Sequence, residues 1–473
     1  MSVSGAPIAP IVLTAAAVAA AVGGRVVEGD DGAAFDGFTT DSRRVTAGQL
    51  FIALRGDRFD GAAFVQASVA AGARGVLVPR GTPAPRAAGA VTIEVDDTLT
   101  ALQDLGRYMR RLSGASVVAI TGSAGKTSTK EATAEFLATR HTVFRNVGNL
   151  NNHIGLPLSL LELRSRPDVA VVELGMNHAG EISRLVELAE PDVRVWTNVG
   201  DAHLGHFGSV DAIADAKAEV LERATGSTRA VVNGDDARVM ARVKGFVGHV
   251  TTFGLGGHAT VRAVDVRDRG VSGTTARLVT PAGEADVSVP IPGRGPLMNV
   301  LAATGVALGY DVPLEAIVDT AARLHAASRR GEVTRLAKGV VLVDDSYNSS
   351  PAALARALDA VGSETEAVRR VAVIGEMREL GESATVLHRQ SGRRAVAAGI
   401  DLLVAIGGAP AEALAEAAID AGLDRGAVRH FTTSEEAAAV VATMLQAGDV
   451  VLVKGSRGTR TDIVADRVKA EWA

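Results

Sequence analysis

Ile120-Thr-Gly-Ser-Ala-Gly-Lys-Thr-Ser-Thr129 runs an apolar strand into a glycine loop that closes on Lys126 and Thr127. Glycine has no Cβ, so backbone N–H groups around Gly122 and Gly125 can converge on the oxygens of a polyphosphate. Ser123, Ala124 and Ser128 complete the stretch expected to surround the phosphates. Lys126 brings a mobile positive charge, and the Thr127 hydroxyl suits the coordination shell of a magnesium ion. A helix opening near Lys126 adds its positive dipole end. The loop is a shortened form: Ile120 stands where the usual pattern has its first glycine. An ordinary strand–turn–helix junction is the competing reading, and the rest of the chain weighs between them.

Outward from the loop, strands alternate with helices. Ser116–Thr121 is followed by strand-like runs at 169–173, 193–197 and 229–233, with helix-like segments at 181–189 and 210–224 between them. Such alternation implies a parallel sheet covered on both faces. Residues 249–292 are rich in Thr, Val and Gly and read as a β-rich edge. From about 327 a second alternation begins, with strands expected at 339–344, 370–374, 402–406 and 450–454, which is a doubly wound pattern. Before the loop, strands are expected at 49–54, 75–78 and 91–95 and helices at 62–71 and 99–112. The expected organisation is α/β with three domains. These are a small α/β domain over 1–112, a central P-loop parallel-sheet ATPase domain over 113–326, and a Rossmann-like domain over 327–473.

Composition narrows the function classes. The 473 residues carry 47% hydrophobic side chains, enough for several cores and too many for global disorder. Net charge is −5 and aromatics make up 3%, with no basic stripe, so a nucleic-acid partner is not expected. There is no cysteine, which excludes disulfides and thiolate chemistry. The alanine-rich run at 8–22 has no basic residue before it and reads as a first amphipathic helix rather than a signal peptide. No other run approaches a membrane span. A cytoplasmic, monomeric enzyme without an integral membrane segment is the expectation.

In doubly wound sheets ligands gather at the carboxyl ends of the strands. Polar clusters stand at four such ends: Glu173-Leu-Gly175, Asn198-Val-Gly-Asp-Ala-His203, Asp344-Asp-Ser-Tyr-Asn348 and Lys454-Gly-Ser-Arg457. Glu173 ends an apolar strand, where an unpaired carboxylate is costly; a structural ion pair is its plainer role. His203 and His206 lie one helical turn apart, but no third soft ligand accompanies them, which argues against zinc.

Together these segments resemble the Mur ligases, the ATP-dependent enzymes that build the peptidoglycan stem peptide, over nearly the whole chain. The resemblance is carried by Thr40-Asp-Ser-Arg43 with Gly48–Leu54, the loop at 121–127, and Gly148-Asn-Leu-Asn-Asn-His-Ile-Gly-Leu-Pro157. Glu173-Leu-Gly-Met-Asn177, Ala202-His-Leu204, Ile213-Ala-Asp-Ala-Lys217, Asp345-Ser-Tyr-Asn348 and Lys454-Gly-Ser-Arg457 extend it. No dinucleotide-type glycine fingerprint opens the chain, and Asp-Asn-Pro-Arg occurs nowhere. Within the family this favours the branch that adds D-alanyl-D-alanine to UDP-N-acetylmuramoyl-tripeptide. The third-residue-adding ligases, the folylpolyglutamate synthases and a non-catalytic nucleotide-binding relative are the rivals.

The resemblance implies roles residue by residue. Lys126 holds the β/γ-phosphates and the migrating phosphoryl group. Thr127, Glu173 and His203 are magnesium ligands, and Lys217, as its carbamate, serves a second magnesium. Asn299, Arg330, Asp345, Tyr347 and Asn348 contact ATP; for Arg330 an exposed linker position is the other reading. Asp41, Ser42 and Arg43 receive the uridine diphosphate end of the substrate. Asn151 and Asn152 face the muramoyl-peptide, or merely form a turn. Lys454, Ser456 and Arg457 steady the dipeptide or the phosphate, or merely end a strand. The chain departs from the family at Gly295 and Ala62, where histidines are usual.

Overall fold

The computed structural model describes residues 9–56, 59–85 and 89–473, and the chain divides into two compact units. The first contains residues up to 119, with 141–176 and 180–193. Its five-stranded sheet runs in the order Arg25–Glu28, Val91–Val95, Gly75–Pro79, Gln49–Ile52, Gly37–Thr39. The first pair is antiparallel and the remaining pairs are parallel. Phe51, Ala53, Val76 and Val78 pack with Val65 and Ala73 on one face. The helix Thr98–Ser113 opens where the Asp97 carboxylate accepts the Thr100 N–H, and it stops at Gly114, which is left-handed at φ 70°. That is an N-cap followed by a glycine C-terminus. Val169–Glu173 pairs in parallel with Val143–Arg145 in the same unit.

The second unit holds residues 120–140, 177–179 and 194–473. Arg229–Asn233, His249–Gly254 and Val261–Asp268 lie side by side in parallel, and Thr274–Thr280 and Gly283–Val289 continue antiparallel. This is the β-rich edge expected for 249–292. A six-stranded sheet follows in the order Glu332–Arg335, Val341–Asp345, Asp449–Lys454, Arg369–Gly375, Leu402–Ile406, Val428–Phe431. Only its first pair is antiparallel.

Side-chain alternation divides this sheet between two cores. Val341, Val343, Ala372 and Ile374 meet Leu354, Leu358, Ala395 and Leu414. Leu342, Val371 and Val373 meet Val441, Val464 and Val468 on the other face. The helices after Val341–Asp345 and Arg369–Gly375 therefore cover one face. The helix after the strand between them, Asp449–Lys454, covers the opposite face. Diverging connections open a crevice at the carboxyl ends of these three strands.

Three expected elements differ. The segment at 8–22 is a two-residue strand, Leu13–Thr14, and a short helix, Ala15–Ala21, capped by the Thr14 hydroxyl; residue 8 lies outside the described residues. The helix expected at 62–71 begins as a 3-10 turn, Gly61–Phe64, because the Asp60 carboxylate binds the Ala62 N–H and starts it early. The helix expected at 210–224 ends at Ala218 and tightens into a 3-10 turn, Glu219–Leu221. Among the described residues no helix is long and apolar enough to cross a membrane.

His388 gives a first prediction. Its ring is fully buried; Nε2 accepts the Met377 N–H at 2.9 Å and Nδ1 lies 2.7 Å from the Ala384 carbonyl. A neutral ring with hydrogen on Nδ1 satisfies both. Burial holds its pKa below the ordinary histidine value, against the pulls of the Ala384 carbonyl and Glu376. Such a group leaves stability complete above the unfolded pKa, about 6.5. Stability is then lost as pH falls from there through the folded value, at no more than about 1.4 kcal/mol per pH unit for one proton. Thermal midpoints at pH 7.5 and 5.5 should drop further for the wild type than for His388→Asn. Equal drops would show that the ring is not the acid-sensitive group.

Candidate nucleotide-binding cleft

The glycine loop needs both of its glycines. A Cβ on Gly122 would fall 1.9 Å from Thr197 Oγ1, and one on Gly125 would fall 2.4 Å from Asn299 Oδ1. Gly125 also takes φ 81°, and the helix Lys126–Ala138 starts directly after it. Neighbouring segments hold the loop in shape. Ser123 N–H donates to the Asn198 carbonyl at 3.0 Å and Ala124 N–H to Asn198 Oδ1 at 2.9 Å. The Ala124 carbonyl accepts from Thr197 Oγ1 at 2.7 Å and from Asn198 Nδ2 at 3.0 Å. Lys126 Nζ reaches back to the Gly122 carbonyl at 2.8 Å, and Thr129 Oγ1 bonds Asn299 Oδ1 at 3.2 Å. A preset loop does not have to be ordered when an anion arrives, which favours binding.

This loop is one wall of a cleft of about 660 Å³ within the second unit. Ser123–Lys126, Ser128, Thr197–His203, Asn299, Arg330, Asp345, Tyr347, Asn348, Lys454, Ser456 and Arg457 line it. Seven basic side chains face three acidic ones across the lining, a balance suited to a polyphosphate. Lys454 is 3% exposed, 2.6 Å from Asp345 Oδ2 and 3.0 Å from the Asn348 carbonyl. Burial raises the Asp345 carboxyl above its usual range, while Lys454 and Arg330 pull it down. The Arg330 guanidinium sits 4.0 Å from the centre of the Tyr347 ring, and Arg457 lies 6.0 Å from the same ring. Arg330 is therefore a cleft residue and not a solvated linker.

His203 adopts φ 67°, a left-handed conformation uncommon outside glycine. Its Nδ1 lies 2.7 Å from Glu379 Oε2, close but not aligned as a hydrogen bond. Contact with His203, then the charges of His203 and His206, holds the Glu379 carboxyl below its ordinary range. With Nδ1 turned to a carboxylate, Nε2 is the atom left for a metal, the usual arrangement around ligating histidines. Lys217, on the helix Val210–Ala218, is 1% exposed and does not face solvent as a helix lysine ordinarily does.

The remaining expected residues lie apart from this lining. Gly122, Thr127 and Lys217 belong to the second unit but do not line the cleft. Glu173, Asn151, Asn152, Asp41, Ser42 and Arg43 belong to the first unit. There Glu173 is 4% exposed and accepts Asn151 Nδ2 at 2.8 Å. Asn152 Oδ1 accepts the N–H groups of Ile154 and Gly155, holding the turn into the helix Gly155–Leu161. Asp41 and Arg43 close an ion pair at 2.8 Å beside Ser42, and that hydrogen bond holds the Asp41 carboxyl at about 2. Among the described residues no group of three or more His, Asp or Glu side chains forms a ready metal cage.

The cleft also contains residues that sequence reasoning missed. Arg378 and Glu379 follow the strand Arg369–Gly375, whose carboxyl end is as favoured a position as those singled out. The Arg378 N–H donates to Ser456 Oγ at 2.9 Å. Arg294 and Arg356 line the cleft as well, and neither carries a sequence signal beyond its charge.

Comparison with known proteins agrees with this architecture. The Mur ligase family catalytic domain matches residues 34–110, the Mur ligase middle domain 120–307, and the Mur ligase glutamate ligase domain 329–457. The UDP-N-acetylmuramoyl-tripeptide–D-alanyl-D-alanine ligase of Bacillus subtilis (strain 168) is 33% identical over 92% of this chain and 93% of its own. The ligase of that name from Escherichia coli (strain K12) is 37% identical over 79% of this chain and 81% of its own. A crystal structure of MurF from Acinetobacter baumannii superposes with a TM-score of 0.86 at 30% identity, covering 98% of this chain and 100% of that one. The MurF ligase from Thermotoga maritima, solved in complex with ADP, gives 0.81 at 29% identity, covering 92% and 97%. By these matches the chain belongs to the Mur ligase family.

Proposed function

We propose that this chain is an ATP-dependent, ADP-forming ligase that joins D-alanyl-D-alanine to UDP-N-acetylmuramoyl-tripeptide and so makes the pentapeptide precursor of peptidoglycan. The observation that carries the reading is the activity of the Bacillus subtilis relative, which matches 92% of this chain, in company with a preset phosphate loop facing a basic cleft. A carboxylate is a poor electrophile. Transfer of the γ-phosphoryl group from ATP to the tripeptide's terminal carboxylate gives ADP and an acyl phosphate. The dipeptide amine then attacks the acyl carbon, and the tetrahedral intermediate expels phosphate and releases a proton.

The protein's part in this reaction is alignment and charge neutralisation. Lys126, the loop Gly122–Ser128 and the opening turn of the helix Lys126–Ala138 take the triphosphate. Asn299, Asp345, Tyr347 and Asn348 take the nucleotide, and Arg330 senses the γ-phosphate. Lys454, Ser456 and Arg457, at the crevice of the six-stranded sheet, steady the incoming dipeptide or the phosphate. Asp41, Ser42 and Arg43 receive the uridine diphosphate end, and Asn151 and Asn152 the muramoyl-peptide. The segment 1–112 is accordingly the substrate domain, 113–326 the ATP domain and 327–473 the dipeptide domain.

Magnesium ordinarily reaches such sites on substrate phosphates, with one or two protein carboxylates and bound water. Within the second unit Thr127 and His203 would hold it, with Lys217 as a carbamate for a second ion, and the metal would neutralise phosphate charge; Glu173 has the magnesium role that the family resemblance implies. The reaction belongs in the cytoplasm, where ATP and nucleotide-linked precursors are found.

The test is ADP release with ATP, UDP-N-acetylmuramoyl-tripeptide and D-alanyl-D-alanine, omitting each in turn. Full release should need all three. Release that persists with glutamate or a diamino acid as the sole amine would move the chain to another branch of the family.

A further inference from the structure

We propose that Arg356 binds the base of the nucleotide, beside the space that Gly295 leaves open. The inference rests on the reading that this cleft holds ATP. Arg356 rises from the helix Pro351–Gly362 and lines the cleft. Gly295 lies opposite, in the first turn of the helix Arg294–Leu308. A Cβ built on Gly295 would find one neighbouring heavy atom within 4 Å, Arg356 Nε at 3.9 Å.

Gly295 and Asn299 are a helical turn apart on one face. The Asn299 side chain already touches the phosphate loop at Gly125. Arg356 therefore stands one turn, about 5.4 Å, farther along that helix than the loop contact. A nucleoside continuing from the phosphates would extend to that distance. The wall there is apolar: Ile291, Pro292 and Ala357 line it beside Arg356.

Two other cationic groups of the cleft are engaged elsewhere. Lys454 is tied to Asp345, and Arg330 lies on the Tyr347 ring. Among the described residues the Arg356 guanidinium makes no hydrogen bond or ion pair, and Asp345 supplies the opposing field. A planar guanidinium with five donors suits a purine, whose face it can stack on and whose ring nitrogens it can bond. Lysine, a point charge on a flexible stem, does not provide that plane.

The experiment compares wild type, Arg356→Ala and Arg356→Lys in the full chain. Steady-state kinetics are run with ATP and with CTP, and ADP affinity is measured by calorimetry. In Arg356→Ala the ATP KM and the ADP dissociation constant should each rise about tenfold. At saturating ATP kcat should stay within twofold, the dipeptide KM should not move, and the preference for ATP over CTP should shrink. Arg356→Lys should behave like Arg356→Ala, because the plane and not the charge is lost. An unchanged thermal midpoint confirms folding. ATP KM and ATP/CTP preference both within twofold of wild type would overturn the proposal, as would a raised KM with unchanged preference, which would place the contact on ribose or phosphate. ADP affinity is read without turnover, so a chain that bound ADP but made no amide product would count against the proposed reaction and not against this contact.

Discussion

Lys126→Ala should reduce amide formation by about a thousandfold or more, the scale seen when a single charge or donor aimed at a transferring group is removed. The reasoning starts from where Nζ sits. It bends over the loop to the Gly122 carbonyl at 2.8 Å, inside the curve where phosphate oxygens would lie. In phosphoryl transfer, charge spreads over the equatorial oxygens and the protein supplies little besides position and positive field. Removing that field costs most in the transition state, so kcat should fall together with kcat/KM. ADP affinity should weaken less, because the loop amides and the helix N-terminus remain. Lys126→Arg is the companion variant, since it keeps the charge and changes its shape. A Lys126→Ala enzyme that formed product at a tenth of the wild-type rate would remove the phosphate role of the loop, and with it the proposed chemistry.

How far the sequence could be read follows from burial. Val169–Glu173 and Leu402–Ile406 fall on the expected residues because buried parallel strands are continuous apolar runs bounded by polar ones. The loop at 122–125 was legible because glycine there is a steric requirement, which the 1.9 Å and 2.4 Å approaches confirm. Helix ends were less legible. The close of Val210–Ala218 depends on how the following turn tightens, and the start at Ala15 depends on a hydroxyl cap that any Thr could offer.

The cleft was half legible. Residues following apolar strands announced themselves, as with Asp345 and Lys454. Arg378 and Glu379 stand at an equally favoured strand end, but their meaning comes from Ser456 and His203, which are distant in sequence and close in space. Arg356 lies on a helix with an ordinary polar face, where a lysine or arginine carries no message until Gly295 is seen opposite. Asn152 illustrates the converse. Its Oδ1 accepts the Ile154 and Gly155 N–H groups, a local duty that an Asn-Asn pair suggests and that stands beside the proposed substrate role.

Lys217→Ala should be nearly inactive, about a hundredfold or more below wild type, and should regain part of its rate when formate or acetate is added. Lysine is among the side chains least often fully buried, and Lys217 is 1% exposed on the helix Val210–Ala218. Conversion to a carbamate changes the question from burying a cation to placing an anion. The neutral amine attacks CO2, an N–C bond forms, and one proton leaves. The resulting carboxylate would suit the proposed magnesium, which an ammonium would repel. A small acid diffusing into the space left by alanine restores that anion, which a purely structural lysine would not permit. Lys217→Met keeps the bulk, and its thermal midpoint separates lost packing from lost charge. A second readout needs no turnover: protein equilibrated with carbon-13 bicarbonate should show a carbamate carbonyl resonance that is absent from Lys217→Met. If that resonance is missing from the wild type and no small acid restores Lys217→Ala, the lysine is a structural cation and the second metal loses its proposed ligand.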